Sequence, residues 1–308
     1  MDILIRKNLE PLLPYLDNPD FKELTIIRPF QIKAETLKGQ WINFKNENLS
    51  LTYLYGIIRL LAISNGKKFD EENSIVSASI GKHRLIAIYG NQTNNKISIT
   101  IRLKRNSKIS LKDFQIDLDS KKKLIELIKN RKTIIVSGGT GCGKTTLLNS
   151  LIKYIEPDER IITIENVEEI EIDEKTHNNH DALIYLEDKT SQITNLLNTS
   201  LRMRPDRIII GELRTENSSV FLRAVNTGHE GTISTIHSNS PKGAIDALIK
   251  NIKDGTNHNY SEQSLRSQLI SNIDAIVQLS RKKVQVRIDD KLVKKIRVCG
   301  YLTLIDQI

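Results

Sequence analysis

Residues 138–145 read GGTGCGKT, and the residues just before them, 133–137, read TIIVS. The first stretch fits the pattern GxxxxGK[ST], in which glycines let backbone N–H groups approach an anion that side chains would block. The required context is present, because an apolar strand precedes the glycines and the sequence TLLNSLIKYI after them favours a helix. The N-terminus of that helix adds a partial positive charge. The stretch therefore predicts an α/β fold with a loop that holds the phosphates of a nucleotide.

Most of the predicted binding residues lie in this loop. Lys144 would neutralise the β- and γ-phosphates of ATP, and the Thr145 hydroxyl would bind Mg²⁺. Cys142 is interpreted as a small filler residue rather than a redox switch. The alternative, a glycine-rich turn without a ligand, is disfavoured by the strand and the helix on its two sides. The predicted nucleotide-binding residues of the loop are Gly138, Gly139, Thr140, Gly141, Cys142, Gly143, Lys144, Thr145 and Thr146.

The composition is that of an ordinary globular protein. Of the 308 residues, 39% are hydrophobic and 27% are charged, which excludes disordered and fibrous chains. Lysine and arginine number 46 against 37 aspartates and glutamates, and the net charge of +9 favours anionic partners such as nucleotides, nucleic acid or acidic lipids. The 2 cysteines are too few for a disulfide framework, and no apolar run reaches membrane-spanning length. A cytoplasmic protein is predicted.

The chain is predicted to form two domains, residues 1–108 and 109–308. The first is a small α+β domain, with a helix that stops at Asn65 and Gly66. Residues 105–120 are polar and predict a linker, part of which packs, with the boundary near Lys108. The strands predicted in the first domain cover residues 24–27, 32–34, 75–79, 85–89 and 97–103.

In the second domain, predicted strands alternate with helical segments, which is the pattern of a mostly parallel sheet covered by helices. These strands cover residues 133–137, 160–164, 207–210 and 232–237. A further strand at 273–279 precedes a separate hairpin over 284–298, whose turn is predicted at Asp289 and Asp290.

Candidate catalytic residues follow the predicted strands. Glu212 comes directly after RIIIG, at a strand end where doubly wound sheets bind ligands, and can orient the attacking water. Glu165 ends another strand and is ranked above Glu168 and Glu169 for polarising water or binding Mg²⁺. His237 also ends a strand and would act as a sensor beside the phosphates. The ordinary alternatives are a solvated turn glutamate and a structural histidine, and His229 is left with the structural interpretation.

Four stretches in this order resemble the boxes of the secretion traffic ATPases. They are GGTGCGKTT, RIITIENVEEIEI, SLRMRPDRIIIGELRTEN and TGHEGTISTIHSNS, which are similar to a Walker A loop, an acidic box, a Walker B strand ending in GE and a histidine box. Within this family the chain is most similar to the hexameric ATPase of type IV secretion systems. The first domain matches too, through LEPLLPYLDNPDFKELTIIRP, GKHRLIAI and ISITIRL.

The resemblance implies an ATPase that uses ATP and Mg²⁺, with a RecA-like P-loop domain behind the smaller α+β N-terminal domain. It implies a homohexamer with the nucleotide between the two domains of each subunit. Arg84 and Arg102 match N-terminal arginines that reach the nucleotide in this family, and an arginine fork suits phosphate. Near the Walker B strand Arg204 is the first choice for a γ-phosphate contact among Arg202, Arg204, Arg207 and Arg214. The implied catalytic residues are Glu212, Glu165, His237 and Lys144.

The sequence departs from the family pattern in two boxes. Asn166 replaces the usual aspartate, so metal or water handling in the acidic box depends on Glu165. Glu230 follows His229 where a small or nonacidic residue is usual, and serines stand in HSNS where alanine is usual. The connection between Arg102 and Gly138 is short beside that of some members of the family, which have a long appendage there and exchange domains between subunits. This difference predicts the compact arrangement without domain exchange.

The implied partners are inner-membrane secretion-channel proteins and coupling ATPases of the secretion system. The implied location is the cytoplasmic face of the inner membrane, with peripheral membrane contact left open and direct nucleic-acid binding not expected. The first alternative is a type II secretion or pilus ATPase, although the zinc insertion usual in such secretion members needs more than 2 cysteines. The others are a nucleic-acid motor or binding module on the same core, disfavoured by only 5% aromatic residues, and a scaffold that binds nucleotide without cleaving it.

Overall fold

The computed structural model describes residues 3–104, 109–166, 168–185, 190–256, 260–288 and 291–308. The chain forms two compact units, Met1–Ser107 and Lys108–Ile308. Lys108 itself and the predicted turn residues Asp289 and Asp290 lie outside the described residues. In the described ranges, none of the helices is both long enough and apolar enough to cross a membrane.

The N-terminal unit is built on a six-stranded antiparallel sheet in the order β3-β2-β1-β6-β5-β4. Buried and less buried residues alternate along its central strands, as expected of a sheet with one face on a core. Helix α3 packs its apolar stripe on that core, and the Ser50 hydroxyl caps it by accepting a bond from the Tyr53 N–H. The elements are α1 Ile3–Asn8, α2 Leu13–Leu16, β1 Phe21–Arg28, β2 Gln31–Thr36, β3 Trp41–Lys45, α3 Leu51–Ser64, β4 Ile75–Ile80, β5 His83–Tyr89 and β6 Ile97–Arg102.

The second unit is built on a seven-stranded sheet in the order β13-β12-β7-β11-β10-β8-β9. All neighbouring strands from β12 to β9 are parallel, and β13 is antiparallel to β12. The strands are β7 Ile134–Gly138, β8 Ile161–Glu165, β9 His180–Ile184, β10 Arg207–Ile210, β11 Ile233–Ile236, β12 Ala275–Ile288 and β13 Lys291–Leu304. The helices are α4 Leu118–Lys129, α5 Lys144–Ile152, α6 Thr190–Ser200, α7 Ser218–Asn226, α8 Pro241–Gly255 and α9 Glu262–Asn272.

Helices cover both faces of this sheet. Every residue of β7, β8, β10 and β11 is buried, as expected of central parallel strands. Alternate strand residues belong to different cores: Ile135 packs with residues of α6 to α9, whereas Ile134 and Val136 pack with residues of α4 and α5. Because the central strands are parallel, their carboxyl ends lie at one edge of the sheet, and the loops after β7, β8, β10 and β11 meet there.

The structure differs from the sequence prediction in several elements. The predicted strand at 273–279 and the first arm of the hairpin are one continuous strand, β12, so their separation was wrong. Strands β3 and β9 were not predicted. Part of the predicted linker packs, as expected: Leu111, Phe114 and Ile116 are buried in the core of the second unit, and α4 begins inside the predicted bounds, at Leu118. The Asp117 carboxylate caps α4 by accepting a bond of 2.8 Å from the Ser120 N–H.

Candidate active site

Three glycines of the phosphate loop, Gly138, Gly141 and Gly143, lie where a side chain would be strained or would collide with its neighbours. Gly141 and Gly143 have φ of 67° and 94°, the left-handed region in which a Cβ is strained. A Cβ on Gly138 would collide with the Cys142 sulfur and lie 2.8 Å from the carbonyl oxygen of Leu279. Cys142 is 4% exposed and belongs to the core under the loop. This packing supports the interpretation of Cys142 as a filler residue.

Lys144, the first residue of α5, lies in the mouth of the loop and is 7% exposed. Its ammonium group donates to the carbonyl oxygens of Gly138 and Gly139 at 3.0 and 3.1 Å. The same nitrogen is 3.2 Å from Nδ1 of His237, which follows β11. The loop therefore holds a buried cation in a fixed position beside a histidine from the neighbouring strand.

Glu212 follows β10 and is joined to the same histidine. Its Oε1 lies 2.6 Å from Nε2 of His237, and its Oε2 accepts a bond of 2.6 Å from Nε of Arg214. The buried Asn217 fixes the backbone here, because its amide donates to the Glu212 carbonyl oxygen and accepts from the Arg214 N–H. Lys144, His237 and Glu212 thus form one continuous row across the carboxyl ends of three parallel strands.

The 2.6 Å contact with Glu212 favours one tautomer of His237, and the Lys144 nitrogen lies 3.2 Å from Nδ1 and 3.4 Å from Nε2. A neutral imidazole can donate from Nε2 to the Glu212 carboxylate while Nδ1 accepts from the Lys144 ammonium. Burial, together with the nearby Lys144 charge, holds the pKa of His237 below its ordinary value of 6.5, although Glu212 acts in the opposite direction. The neutral form is therefore the one that satisfies both neighbours near neutral pH.

The acidic stretch after β8 places Glu169, not Glu165, against the loop helix. The Thr145 hydroxyl donates to a carboxylate oxygen of Glu169 at 3.1 Å. The Glu165 carboxylate is 5% exposed and accepts from the backbone N–H groups of Glu169 and Ile170 at 3.0 to 3.2 Å. A Cβ on Gly211 would lie 3.1 Å from Glu165 Cγ, so glycine leaves room for this side chain. Glu165 shapes the turn that presents Glu169 to Thr145.

The oxygen atoms of Thr145 and Glu169 suit a Mg²⁺ ion, which prefers hydroxyl and carboxylate oxygens. No cluster of three or more histidine, cysteine, aspartate or glutamate side chains in the described ranges could hold a metal. An ion at Thr145 and Glu169 would therefore take further ligands from nucleotide phosphates and water, as Mg²⁺ in nucleotide sites generally does.

The arginines near the Walker B strand lie in different places. Arg202 and Arg204 are exposed in the loop before β10, at the amino-end edge of the sheet, and Arg204 has φ of 56°. Arg207 begins β10 and is fully buried in an ion pair with Glu159. Only Arg214 lies at the carboxyl-end edge with the phosphate loop. The structure does not bring Arg204 to the phosphate loop of the second unit, and its contact with a γ-phosphate stays a prediction.

The N-terminal unit, taken by itself, places its two predicted arginines side by side. Arg84 of β5 pairs directly with Arg102 of β6, and Arg102 pairs on its other side with Glu23 of β1. Both arginines alternate with the buried residues Leu85 and Ile101, so they lie on the face of the sheet opposite its core. Glu23 is the direct neighbour of Arg102 in the strand register, and the planar guanidinium groups of the two arginines suit an oxyanion such as phosphate, so the pair stays a candidate anion contact.

The family model "Type II/IV secretion system protein" matches residues 86–297. The chain belongs to this family. It is 31% identical to the type IV secretion system protein VirB11 of Bartonella henselae, over 90% of this chain and 89% of that protein. It is also 31% identical to the type IV secretion system protein PtlH of Bordetella pertussis, over 90% of this chain and 91% of that one. The predicted resemblance to the type IV secretion traffic ATPases is confirmed.

Two solved structures confirm the fold. The ATPase DotB of Legionella pneumophila has a TM-score of 0.63 at 20% identity, covering 99% of this chain and 81% of that one. The pilus retraction motor PilT has a TM-score of 0.65 at 21% identity, covering 99% of this chain and 83% of that one. The predicted architecture, a RecA-like P-loop ATPase domain preceded by a smaller α+β domain, is therefore confirmed.

Sequence reasoning missed one cation beside the loop. Arg281 of β12 lies over Gly141: a Cβ on that glycine would be 3.7 Å from three guanidinium atoms. No sequence signal indicated it, because Arg281 is 140 positions from Gly141 and lies in no recognised box. His229 lies in the turn before β11, at the edge opposite His237, where its carbonyl oxygen accepts from the Thr232 hydroxyl. This position agrees with its structural interpretation.

The lowered pKa values of two histidines predict how the stability of the folded protein depends on pH. Burial lowers the pKa of His180 as well as that of His237, so the folded protein keeps both neutral where the unfolded chain begins to bind protons. Stability is then fully present above the ordinary value of 6.5 and is lost as pH falls below it. We expect the melting temperature to fall between about pH 7.5 and 5.5 and to fall less in His180→Asn and in His237→Asn. An equal fall of the melting temperature in the wild type and in both variants would contradict the lowered pKa values.

Proposed function

We propose that the protein is an ATP-hydrolysing hexameric motor that energises substrate transfer or pilus assembly in a type IV secretion system. The observation that carries the proposal is the row Lys144, His237 and Glu212, in which a phosphate-loop cation and the glutamate that follows β10 contact the same histidine. The similarity to type IV secretion system proteins over nine-tenths of the chain supports the biological setting. The reaction is the hydrolysis of ATP to ADP and phosphate.

In the proposed mechanism, the phosphate loop binds the triphosphate through backbone N–H groups and Lys144 neutralises its β- and γ-oxygens. Thr146, next along α5, adds a hydroxyl to the phosphates. Glu212 orients a water molecule against the γ-phosphorus and accepts its proton. Arg214 and His237 hold the Glu212 carboxylate in one orientation, since each donates to a different oxygen.

His237 is proposed to report phosphate binding to Glu212. Its Nδ1 faces the Lys144 ammonium and its Nε2 faces the glutamate, so any movement of the cation toward a phosphate changes both contacts of one ring. Mg²⁺, when bound at Thr145 and Glu169, would neutralise charge on the phosphates. Glu165 contributes by holding the acidic turn, and we propose no direct contact between Glu165 and the reacting groups.

Arg84 and Arg102 are proposed to add further contacts to the nucleotide phosphates. Their direct pairing on one sheet face gives two guanidinium groups that a single anion can bridge. The closed form of a subunit would then bind ATP more tightly than the open form by a few kcal/mol, and hydrolysis would remove this difference. A difference of that size is enough to drive a domain movement. We propose a ring of six subunits at the cytoplasmic face of the inner membrane, with secretion-channel proteins and coupling ATPases as partners.

The proposal is tested by Mg²⁺-dependent ATP hydrolysis and native mass measurement on the purified full chain. We expect phosphate release from ATP and a mass of six subunits in the presence of ATP. The double variant Arg84→Ala and Arg102→Ala should raise the KM for ATP, whereas substitution of the exposed Arg59 on α3 should leave it unchanged. A monomer that hydrolyses no ATP would reject the motor, and hydrolysis that requires added DNA would favour a nucleic-acid motor.

A further inference from the structure

Asn149 lies on α5 four positions after Thr145, so the two side chains share one face of that helix. Its amide nitrogen donates to the Glu169 carbonyl oxygen at 2.9 Å, and its amide oxygen accepts from the Glu171 N–H at 3.1 Å. These two bonds join the helix that follows the phosphate loop to the acidic segment after β8. Asn149 belongs to neither of the sequence boxes that it joins.

Helix α5 therefore contacts Glu169 through two different parts of that residue. The Thr145 hydroxyl donates to the Glu169 carboxylate, whereas the Asn149 amide binds the Glu169 main chain. From the other side, the Glu165 carboxylate accepts a bond of 3.2 Å from the Glu169 N–H. The backbone of Glu169 is thus held both by α5 and by the end of β8, while its carboxylate lies against Thr145.

A second asparagine holds Glu212 in the same way. The amide of Asn217 donates to the Glu212 carbonyl oxygen and accepts from the Arg214 N–H, both at 2.8 Å. In each case one asparagine amide binds the C=O of a glutamate and the N–H of the residue two positions later. Bonds of this kind satisfy two backbone groups and fix the local backbone conformation. The site therefore presents two of its glutamates, Glu169 and Glu212, on segments that an asparagine holds.

We propose that Asn149 is a positioning residue that sets how tightly the nucleotide site binds Mg²⁺. The proposal rests on the ATP and Mg²⁺ site of the function proposed above. A Mg²⁺ ion bound by Thr145 and Glu169 would replace the hydrogen bond between them. The Asn149 bonds involve only main-chain atoms of the acidic segment, so they remain when that bond is lost. Asn149 then keeps the Glu169 carboxylate in place for the ion.

The affinity for ADP tests this role without any need for hydrolysis. Calorimetry on the full chain should measure ADP binding once with Mg²⁺ and once with EDTA, and the ratio of the two affinities gives the contribution of the metal. In Asn149→Ala we expect this ratio to fall roughly tenfold, as is typical when a residue that orients a metal ligand is removed. The affinity in EDTA should be unchanged, because the phosphate loop and Lys144 are intact.

A merely structural role of Asn149 gives a different result. Damage to α5 would weaken ADP binding equally with Mg²⁺ and with EDTA, and an equal loss would overturn the proposal. The matched control is Asn226→Ala, since the exposed Asn226 also bonds side chains of another helix, Gln268 and Asn272 of α9. This variant should keep the wild-type ratio, and a ratio that fell as it does in Asn149→Ala would also overturn the proposal.

A double-mutant cycle shows whether Asn149 acts through Glu169. Glu169→Gln alone should lower the ratio of the two ADP affinities, because it removes the carboxylate that faces the ion. Adding Asn149→Ala to Glu169→Gln should lower the ratio little further, since the residue that is positioned has already been changed. Losses that multiply in the double variant would show that Asn149 acts independently of Glu169, and the positioning role would be wrong.

The outcomes separate this inference from the proposed function. If the wild type hydrolyses ATP and Asn149→Ala keeps the wild-type ratio, the role of Asn149 is wrong and the ATPase stands. If the ratio depends on Asn149 but ATP is not hydrolysed, the positioning role stands and the motor fails. A wild-type affinity for ADP that is the same with Mg²⁺ and with EDTA would overturn the inference whether or not ATP is hydrolysed.

Discussion

Replacing Glu212 with glutamine is expected to lower ATP turnover by roughly 10²- to 10⁴-fold, the contribution of a positioned general base. The amide keeps the size of the side chain but cannot take a proton from water. ATP binding should persist, because the phosphate loop and Lys144 are unchanged. Phosphate release measures the turnover, and calorimetric titration with a slowly hydrolysed ATP analogue measures the binding.

Two further variants make this result specific. Lys144→Ala should abolish both turnover and tight binding, because it removes the buried cation that the Gly138 and Gly139 carbonyl oxygens hold in the loop. Glu216→Gln, four residues beyond Glu212 in the same loop, serves as the matched acidic control and should retain activity. If Glu212→Gln lost binding as Lys144→Ala does, Glu212 would be a binding residue and not the base.

The phosphate loop could be predicted from sequence because its chemistry is local. The glycines, the lysine and the threonine lie within eight consecutive residues, and the strand and helix on either side follow from the apolar pattern. The meeting of Glu212 and His237 with this loop could also be predicted, since residues after parallel strands share one edge of the sheet. Both inferences need only the order of strands and no side-chain detail.

Other parts of the site depend on tertiary packing and could not be predicted in this way. The choice of Glu169 over Glu165 beside Thr145 follows from a turn in which Glu165 binds backbone N–H groups. Glu165, Glu168 and Glu169 lie close together in one segment, and nothing in the sequence indicates which of them contacts Thr145. Arg281 reaches Gly141 only because β12 pairs beside β7, and nothing near Arg281 in sequence indicates this neighbour.

The same limit applies to elements of the fold. Strand β3 has little alternation of burial, since four of its five residues are exposed, so its pattern did not predict a strand. Helix α4 carries three consecutive lysines, which obscured its apolar stripe of Leu124, Leu127 and Ile128. Strand β12 was divided because its first residues are buried and apolar while the later ones are charged. One strand runs from the sheet into the hairpin.

Arg207 shows why a residue type near a motif does not define its role. Its side chain is 0% exposed, and the guanidinium donates to both carboxylate oxygens of Glu159, at 2.7 and 3.1 Å, and to the Ile128 carbonyl oxygen at 2.6 Å. These contacts join the end of α4, the segment before β8 and the start of β10. Arg207 therefore holds the amino-end edge of the sheet together, and no nitrogen is left for a phosphate at the opposite edge.

Arg207→Met is expected to destabilise the protein by about 3 kcal/mol, because the buried Glu159 carboxylate loses its main partner and keeps the half-exposed Arg131, whose Nε lies 3.3 Å away. Urea unfolding followed by circular dichroism measures the loss. Combining it with Glu159→Leu should recover much of the stability, since replacing both members of a buried pair by apolar residues is often neutral. The recovery distinguishes an unpaired charge from a simple packing defect.

Arg204→Met is the matched control, because Arg204 is an exposed arginine three positions away in the preceding loop. Its stability should change by no more than about 0.5 kcal/mol, as is usual for surface substitutions. If Arg204 contacts a phosphate, Arg204→Met should lose ATP turnover at full stability, whereas Arg207→Met combined with Glu159→Leu should keep its ATP turnover. A stable Arg207→Met that lost turnover would instead assign the nucleotide contact to Arg207, and the buried ion pair would no longer explain that side chain.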